Sequence, residues 1–360
     1  MPDDKAVEAR HQTQHKLETM DRYWRVWCRI LAQAETKGFC NRRLWLVDTM
    51  AGRGLHESAG DPDGVVAGTP FQATLAARAT QAEFEGVVVA VRAIDINQSY
   101  ASELDDLLRP YSGTPPHGVD VRVDPVDWIE AVPAIVDEIR SSRDHEHQQR
   151  LQGHSHRSLW FIDPYGVEPV DRRVIEGLPH GSEVIVNFDE NAVRRHAGKE
   201  LDLLGKKLYG DDRWKAAVGQ PTGTFARVFA ESFPRFAHRN VYPLRPSGSQ
   251  DRFLVHLAAS SAAVAPFRRC VNAGLKAGTL IAGKLLTGPQ KHRAVQDLAE
   301  RFKPQTLSID EMYAAGSGFD RQQLMSLAQA AHDLGYGQFN VRARTVDWFA
   351  ERSDERTLGL

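Results

Sequence analysis

The chain has 360 residues, 42% hydrophobic and 26% charged, which suits one large domain and a smaller one of ordinary globular composition. A net charge of −2 supplies no global basic field for a phosphate backbone, so nucleic acid would need a local patch. No apolar run reaches the roughly 18 residues of a membrane span, no apolar signal core opens the chain, and Cys28, Cys40 and Cys270 are too scattered for a disulfide frame or a zinc knuckle. The expectation is a cytoplasmic protein with no membrane contact and no metal.

Residues 1–14 are polar and expected to fray. Leu17, Met20, Trp24, Trp27 and Leu31 then recur at three/four spacing, predicting an amphipathic helix that ends near Lys37-Gly38, its tryptophans anchored in the core. Leu44 to Val47 reads as a buried strand, and Asp48-Thr-Met-Ala-Gly-Arg-Gly54 as the turn after it. Glycines at 52 and 54 turn the chain sharply and let backbone approach a ligand where a Cβ would clash. Residues 55–68 read as a loop. Thr69-Pro70 predicts a helix start, with threonine as N-cap and proline at the first helical position.

A second buried strand is predicted from Val87 to Ile94, ending at Asp95, then a helix over Ser99–Leu108. Val119 to Val123 predicts a third strand, followed by Asp124, Asp127 and a helix over Ile129–Ile139. Residues 141–157 hold His145, His147, His154 and His156 without the carboxylate or cysteine spacing of a metal site, and read as an exposed loop. Leu159 to Ile162 is a fourth strand, ending in Asp163-Pro164-Tyr165-Gly166, and Val184 to Phe188 a fifth. Residues 190–238 are mostly helical, with Lys206, Lys207, Arg213, Lys215, Tyr209 and Trp214 reading as a helical cover or a modest basic–aromatic patch. A hairpin over Val241–Leu244 and Phe253–Ala259 is predicted to supply an antiparallel edge strand.

Strands alternating with helices predict an α/β, Rossmann-like, mostly parallel sheet with ligands beyond the strand C-termini. The expected domains are residues 1–265, with a helical insert at about 190–240, and residues 266–360. In the second, helices over Pro289–Phe302, Ser308–Ala315 and Asp320–Leu334, then strand-like Gln338–Val346, resemble a winged helix-turn-helix α+β module. Few cations on its second helix leave nucleic-acid docking and protein packing or homodimerisation equally open.

The acidic strand ends carry the chemistry. A carboxylate such as Asp48 before Ala51, Gly52 and Gly54 can meet the ammonium of S-adenosylmethionine (SAM) while the glycine backbone lies along its sugar. Asp95 is placed to accept both ribose hydroxyls, by the logic of dinucleotide folds. Asp127 can take the adenine amino group and Trp128 can pack on the ring; either reads equally as a helix cap and a core residue. Asp163, Pro164 and Tyr165 resemble the Asp/Asn-Pro-Pro-Tyr/Phe turn of amino-methyltransferases, which holds the acceptor nitrogen, although the second proline is missing.

The segments Leu46–Gly54, Gly68-Thr69-Pro70, Trp160–Gly166 and Ser182–Phe188, with His15-Lys16-Leu17, resemble the three-Cys-motif partner proteins over roughly residues 13–290. Departures fall at Met50, where phenylalanine is usual, and Thr69, where serine is usual. The resemblance implies a class I methyltransferase-like fold, often with a winged-helix tail, and partnership with a three-cysteine-motif protein. The expected function is SAM-dependent methyl transfer to a planar nitrogen-containing acceptor such as a nucleobase, nucleotide or nucleic acid. The alternatives are a non-catalytic SAM-binding subunit of a mobile-element or defence system, and a small-molecule methyltransferase of specialised metabolism.

Overall fold

The computed structural model describes residues 4–35, 43–57, 65–114, 118–142, 157–164, 166, 170–196, 201–244, 252–281, 288–302, 305–314, 324, 327–328, 331, 337–340 and 345–348. Two compact units divide the chain, residues 1–55 with 67–279, and residues 56–66 with 280–360.

The larger unit is built on seven strands: β1 (Arg43–Asp48), β4 (Val88–Ile94), β5 (Asp120–Asp124), β6 (Ser158–Ile162), β7 (Glu183–Asp189), β8 (His238–Pro243) and β9 (Arg252–Ala258). Their spatial order is β5-β4-β1-β6-β7-β9-β8. The first five are mutually parallel, and β9 runs antiparallel to both β7 and β8. This is a mixed α/β architecture compatible with a Rossmann-like sheet. The order reverses between β1 and β6, which is where such sheets bind ligands.

The expected antiparallel edge strand is corrected here. The antiparallel strand is β9, one place inside the sheet, and the edge is β8, which runs with the others. Burial explains the choice. After Arg252, every residue of β9 is buried, whereas β8 is half-exposed throughout and ends in Pro243, which has no N–H to offer a neighbour. The loop expected over 55–68 also holds a two-stranded ribbon, β2 (Leu55–Glu57) and β3 (Val65–Ala67).

Alternation along the strands gives the sheet two apolar faces. Trp45, Val47, Trp160, Ile162, Val184 and Val186 face one way, under α4 (Trp128–Ser141) and the helical cover that includes α8 (Thr224–Glu231). Leu44, Leu46, Leu159, Phe161 and Ile185 face the other, under α1 (Asp4–Glu35), α2 (Thr69–Glu83) and α9 (Ser261–Ile281). Tyr209 and Trp214 are buried in the first face, so the basic–aromatic patch is a helical cover.

Helix α1 begins at Asp4 rather than fraying to residue 14; Lys5, Ala6, Glu8, Ala9 and Arg10 are residue types that favour helix. Trp24 and Trp27 are buried, as expected of core anchors. Glu183, at the start of β7, fixes this helix to the base of the sheet. Its carboxylate accepts Tyr23 Oη–H and Trp27 Nε1–H (3.0 Å) and pairs with His256 Nε2 (2.6 Å). The helix therefore lies along β7 and β6 toward their C-terminal ends.

The smaller unit contains α10 (Gly288–Phe302), α11 (Ile309–Ala314) and a three-stranded sheet ordered β10 (Thr306–Ser308), β12 (Thr345–Trp348), β11 (Gly337–Asn340). Leu324, Leu327, Ala328 and Ala331 are buried in its core with Val295, Leu298 and Val346. The expected turn at Gly316-Ser317-Gly318 and most of the Asp320–Leu334 helix lie outside the described residues, as do Cys40 and the four loop histidines. No helix among the described residues is long and apolar enough to cross a membrane. Those residues hold no cluster of metal-ligating side chains.

Candidate functional site

Asp48 ends β1, Asp163 stands one residue past the end of β6, and Asn187 lies two residues before the end of the neighbouring β7. By strand alternation all three share the face covered by α1 and α2. Asp48 is 1% exposed. Its carboxyl accepts the Thr69 hydroxyl and the Met50 N–H (3.3 Å). Burial pushes its pKa up to about 7. The Thr69 hydrogen bond opposes that rise, and the nearby Asp163 charge adds to it. Thr69 is consequently not the N-cap predicted for α2. Gly68 holds that position without a side-chain cap, and the threonine hydroxyl is spent on Asp48.

Asp163 is held from two sides. Lys16 of α1 forms an ion pair with Oδ2, and Asn187 Nδ2 donates to Oδ1 at 2.6 Å. The Lys16 side chain is 9% exposed and that of Asp163 18%, so the pair is largely withdrawn from water. Pro164 is buried beside it and Gly166 turns with φ +90°. Tyr165 lies outside the described residues.

The glycine turn ties Asp95 to Asp48. Ala51 N–H donates to Ile94 O (2.8 Å), and Gly52 N–H donates to Asp95 Oδ2 (2.7 Å). The other Asp95 oxygen accepts Asn97 N–H at 2.8 Å. Both carboxylate oxygens are thus oriented by backbone, and each keeps a lone pair for a further donor. Gly52 has φ +61°, and a Cβ there would meet no atom within 4 Å. Gly54 differs: at φ +75°, its Cβ would overlap Leu104 Cδ1 of α3 (Gln98–Leu108). Gly68 would bring a Cβ to 2.9 Å from Gly54 O, which accepts the Gly68 N–H at 2.7 Å. Gly54→Ala is expected to destabilise the fold by about 1–3 kcal/mol, the cost of an overpacked, left-handed position. Urea denaturation checks it, and an unchanged midpoint would count against the packing account.

Asp127 caps α4, its Oδ1 accepting Ile129 N–H at 2.8 Å. Trp128 is 3% exposed and packs in the core on the face away from Asp48. The structure thus gathers Asp48, Ala51, Gly52, Gly54, Asp95, Asp163 and Pro164 on one rim, and gives Asp127 and Trp128 capping and core roles. Sequence reading missed Lys16, Asn187 and the exposed apolar pair Ile96 (70%) and Val126 (37%) next to Asp95 and Asp127. A polar residue inside the apolar run Val184–Phe188 was the available signal for Asn187.

No family model matches the chain and no curated protein matches it, so the resemblance to the three-Cys-motif partner proteins gains no support there. Among solved structures, the chain is similar to protein LPL1258 of Legionella pneumophila, a DUF519 protein. Identity is 13% and the TM-score 0.40, over 73% of this chain and 92% of that one. It also resembles a SAM-dependent methyltransferase of Methanosarcina mazei, at 10% identity and a TM-score of 0.27, over 62% of this chain and 95% of that one.

Proposed function

We propose that the protein is a SAM-dependent methyltransferase acting on a planar, nitrogen-containing acceptor such as a nucleobase, nucleotide or nucleic acid. The supporting observation is the shared rim: acidic ends of β1, β4 and β6 around a left-handed glycine turn, at the reversal in strand order. The residues fit an adenosyl ligand in one specific respect. The space a Cβ would take at Gly52 is empty, beside a carboxylate already oriented by the same turn.

SAM, when bound, supplies an electrophilic methyl group. Asp95 accepts the ribose hydroxyls, Gly52 lets the turn lie against the sugar, and Ile96 and Val126 offer apolar surface to the adenine. Asp48 attracts the ligand's ammonium group. Asp163 orients the acceptor nitrogen for in-line attack and receives its proton, with Pro164 and Tyr165 shaping that side. Positioning and electrostatics suffice here, because methyl transfer needs no covalent enzyme nucleophile.

An ammonium beside Asp48 lowers the pKa that burial has raised to about 7, so binding releases a proton below neutrality. Affinity for SAM should climb about tenfold per pH unit up to 7. It should fall again above roughly 8, as the ligand's own α-amino group loses its charge. Asp48→Asn should flatten the acid limb in calorimetric titrations. An affinity independent of pH between 5.5 and 7 would remove Asp48 from the site.

A second reading keeps SAM binding without turnover, in a partner subunit. It is favoured by the engagement of both Asp163 oxygens, by Lys16 and Asn187. Transfer of labelled methyl groups from SAM to nucleosides or RNA separates the two. Incorporation excludes the partner-subunit reading, and S-adenosylhomocysteine failing to bind the wild type would remove both.

A further inference from the structure

Asn187 carries an unmet demand. It is 4% exposed, and its Nδ2 is committed to Asp163, which as a carboxylate can only accept. That fixes the orientation of the amide and leaves Oδ1 as an acceptor. Oδ1 is buried and has no hydrogen-bond partner among the described residues. A buried acceptor left unsatisfied costs about 1–3 kcal/mol, yet the positions on either side along β7, Val186 and Phe188, are apolar. The carboxamide stands one residue past the pairing of Ile162 with Val186, beside Asp163.

Resting on the methyltransferase reading above, we infer that Asn187 Oδ1 is the second hydrogen-bond acceptor for the nitrogen that is methylated. Two acceptors side by side, Asp163 and Asn187, match a group with two N–H bonds. The acceptor is therefore a primary amino group on a planar ring, as in adenine or cytosine, rather than a ring nitrogen without hydrogen. Oδ1 is closed to bulk water, and it must open to the entering amine for this bond to form. Asp163 Oδ2 keeps a second lone pair beside the one facing Lys16.

Such an amine is a weak nucleophile because its lone pair is delocalised into the ring. Accepting both N–H bonds returns electron density to nitrogen. The nitrogen pair forms the N–C bond to the methyl carbon and the C–S bond breaks, its pair remaining on sulfur. One N–H proton passes to Asp163 and on to water. The product has a single N–H, so it leaves one of the two acceptors unpaired, and transfer stops after one methyl group.

The test uses protein saturated with S-adenosylhomocysteine, whose own binding is measured first. Adenosine and cytidine are titrated against their deaminated counterparts, inosine and uridine. At least one amino nucleoside should bind ten times more tightly than its counterpart. Asn187→Leu should reduce that preference below threefold while S-adenosylhomocysteine affinity, the check on folding, stays within threefold. Equal binding of both pairs by the wild type overturns the inference, as does a preference that survives Asn187→Leu. Dimethylated product from any acceptor overturns it too. Failure of S-adenosylhomocysteine to bind the wild type removes the underlying reading instead, so the two failures are distinguishable.

Discussion

Asp95→Ala is expected to weaken S-adenosylhomocysteine binding by about 100-fold. The estimate assumes two charge-assisted hydrogen bonds to ribose hydroxyls, at about 1.5 kcal/mol each, the lower end of their range. The loss has a second source in this protein. Asp95 also accepts the N–H groups of Gly52 and Asn97, so alanine releases the turn that would face the sugar and the N-cap residue of α3. Asp95→Asn separates these contributions, since its remaining carbonyl oxygen can still accept one backbone N–H. Calorimetry should place it between wild type and alanine. A wild-type affinity in Asp95→Ala would take the adenosyl ligand away from this rim.

Asp163→Ala should lower turnover by about 100- to 1,000-fold, the usual scale for losing one preorganised polar group at a reacting atom, with S-adenosylhomocysteine binding retained. It should also destabilise the fold by about 3 kcal/mol, because Lys16 is left with its charge withdrawn from water and no counter-ion. Those two effects need separating. Adding Lys16→Met to Asp163→Ala removes the orphaned charge and should recover most of the stability in a urea titration. Turnover should stay low. If the double variant regains activity along with stability, Asp163 serves the fold alone.

The strand ends were legible because a parallel sheet buried on both faces demands unbroken apolar runs, and an aspartate terminates each run visibly. Asp48, Asp95 and Asp163 announce themselves in that way. The strand order was not legible. Nothing local in Arg252–Ala258 says that it inserts between β7 and β8 rather than beyond them, although its continuous burial fits the inner place. Thr69 misled for a different reason. Thr-Pro is a sound cap signal by local chemistry, and only the tertiary fold reveals that the hydroxyl is needed by Asp48. Lys16 stood in the His15-Lys16-Leu17 segment of the resemblance, but its role was not legible because its partner is 147 residues away. Gly54 looked like a ligand-facing glycine, but its φ of +75° and the leucines of α3 against it account for the missing side chain without a ligand.

The fastening of α1 bears on how the chain is made. This helix is synthesised first, yet Lys16 must wait for Asp163, and Tyr23 and Trp27 for Glu183 and its neighbour His256. At about 5–20 residues per second, a ribosome needs on the order of 10–50 s to deliver the last of them. Until then the helix has its earlier neighbours α2 and β1 but not these polar fastenings. A nascent chain halted before residue 252 would hold most of the sheet but lack β9, and ligand binding should therefore begin late, with the arrival of that strand rather than with the glycine turn.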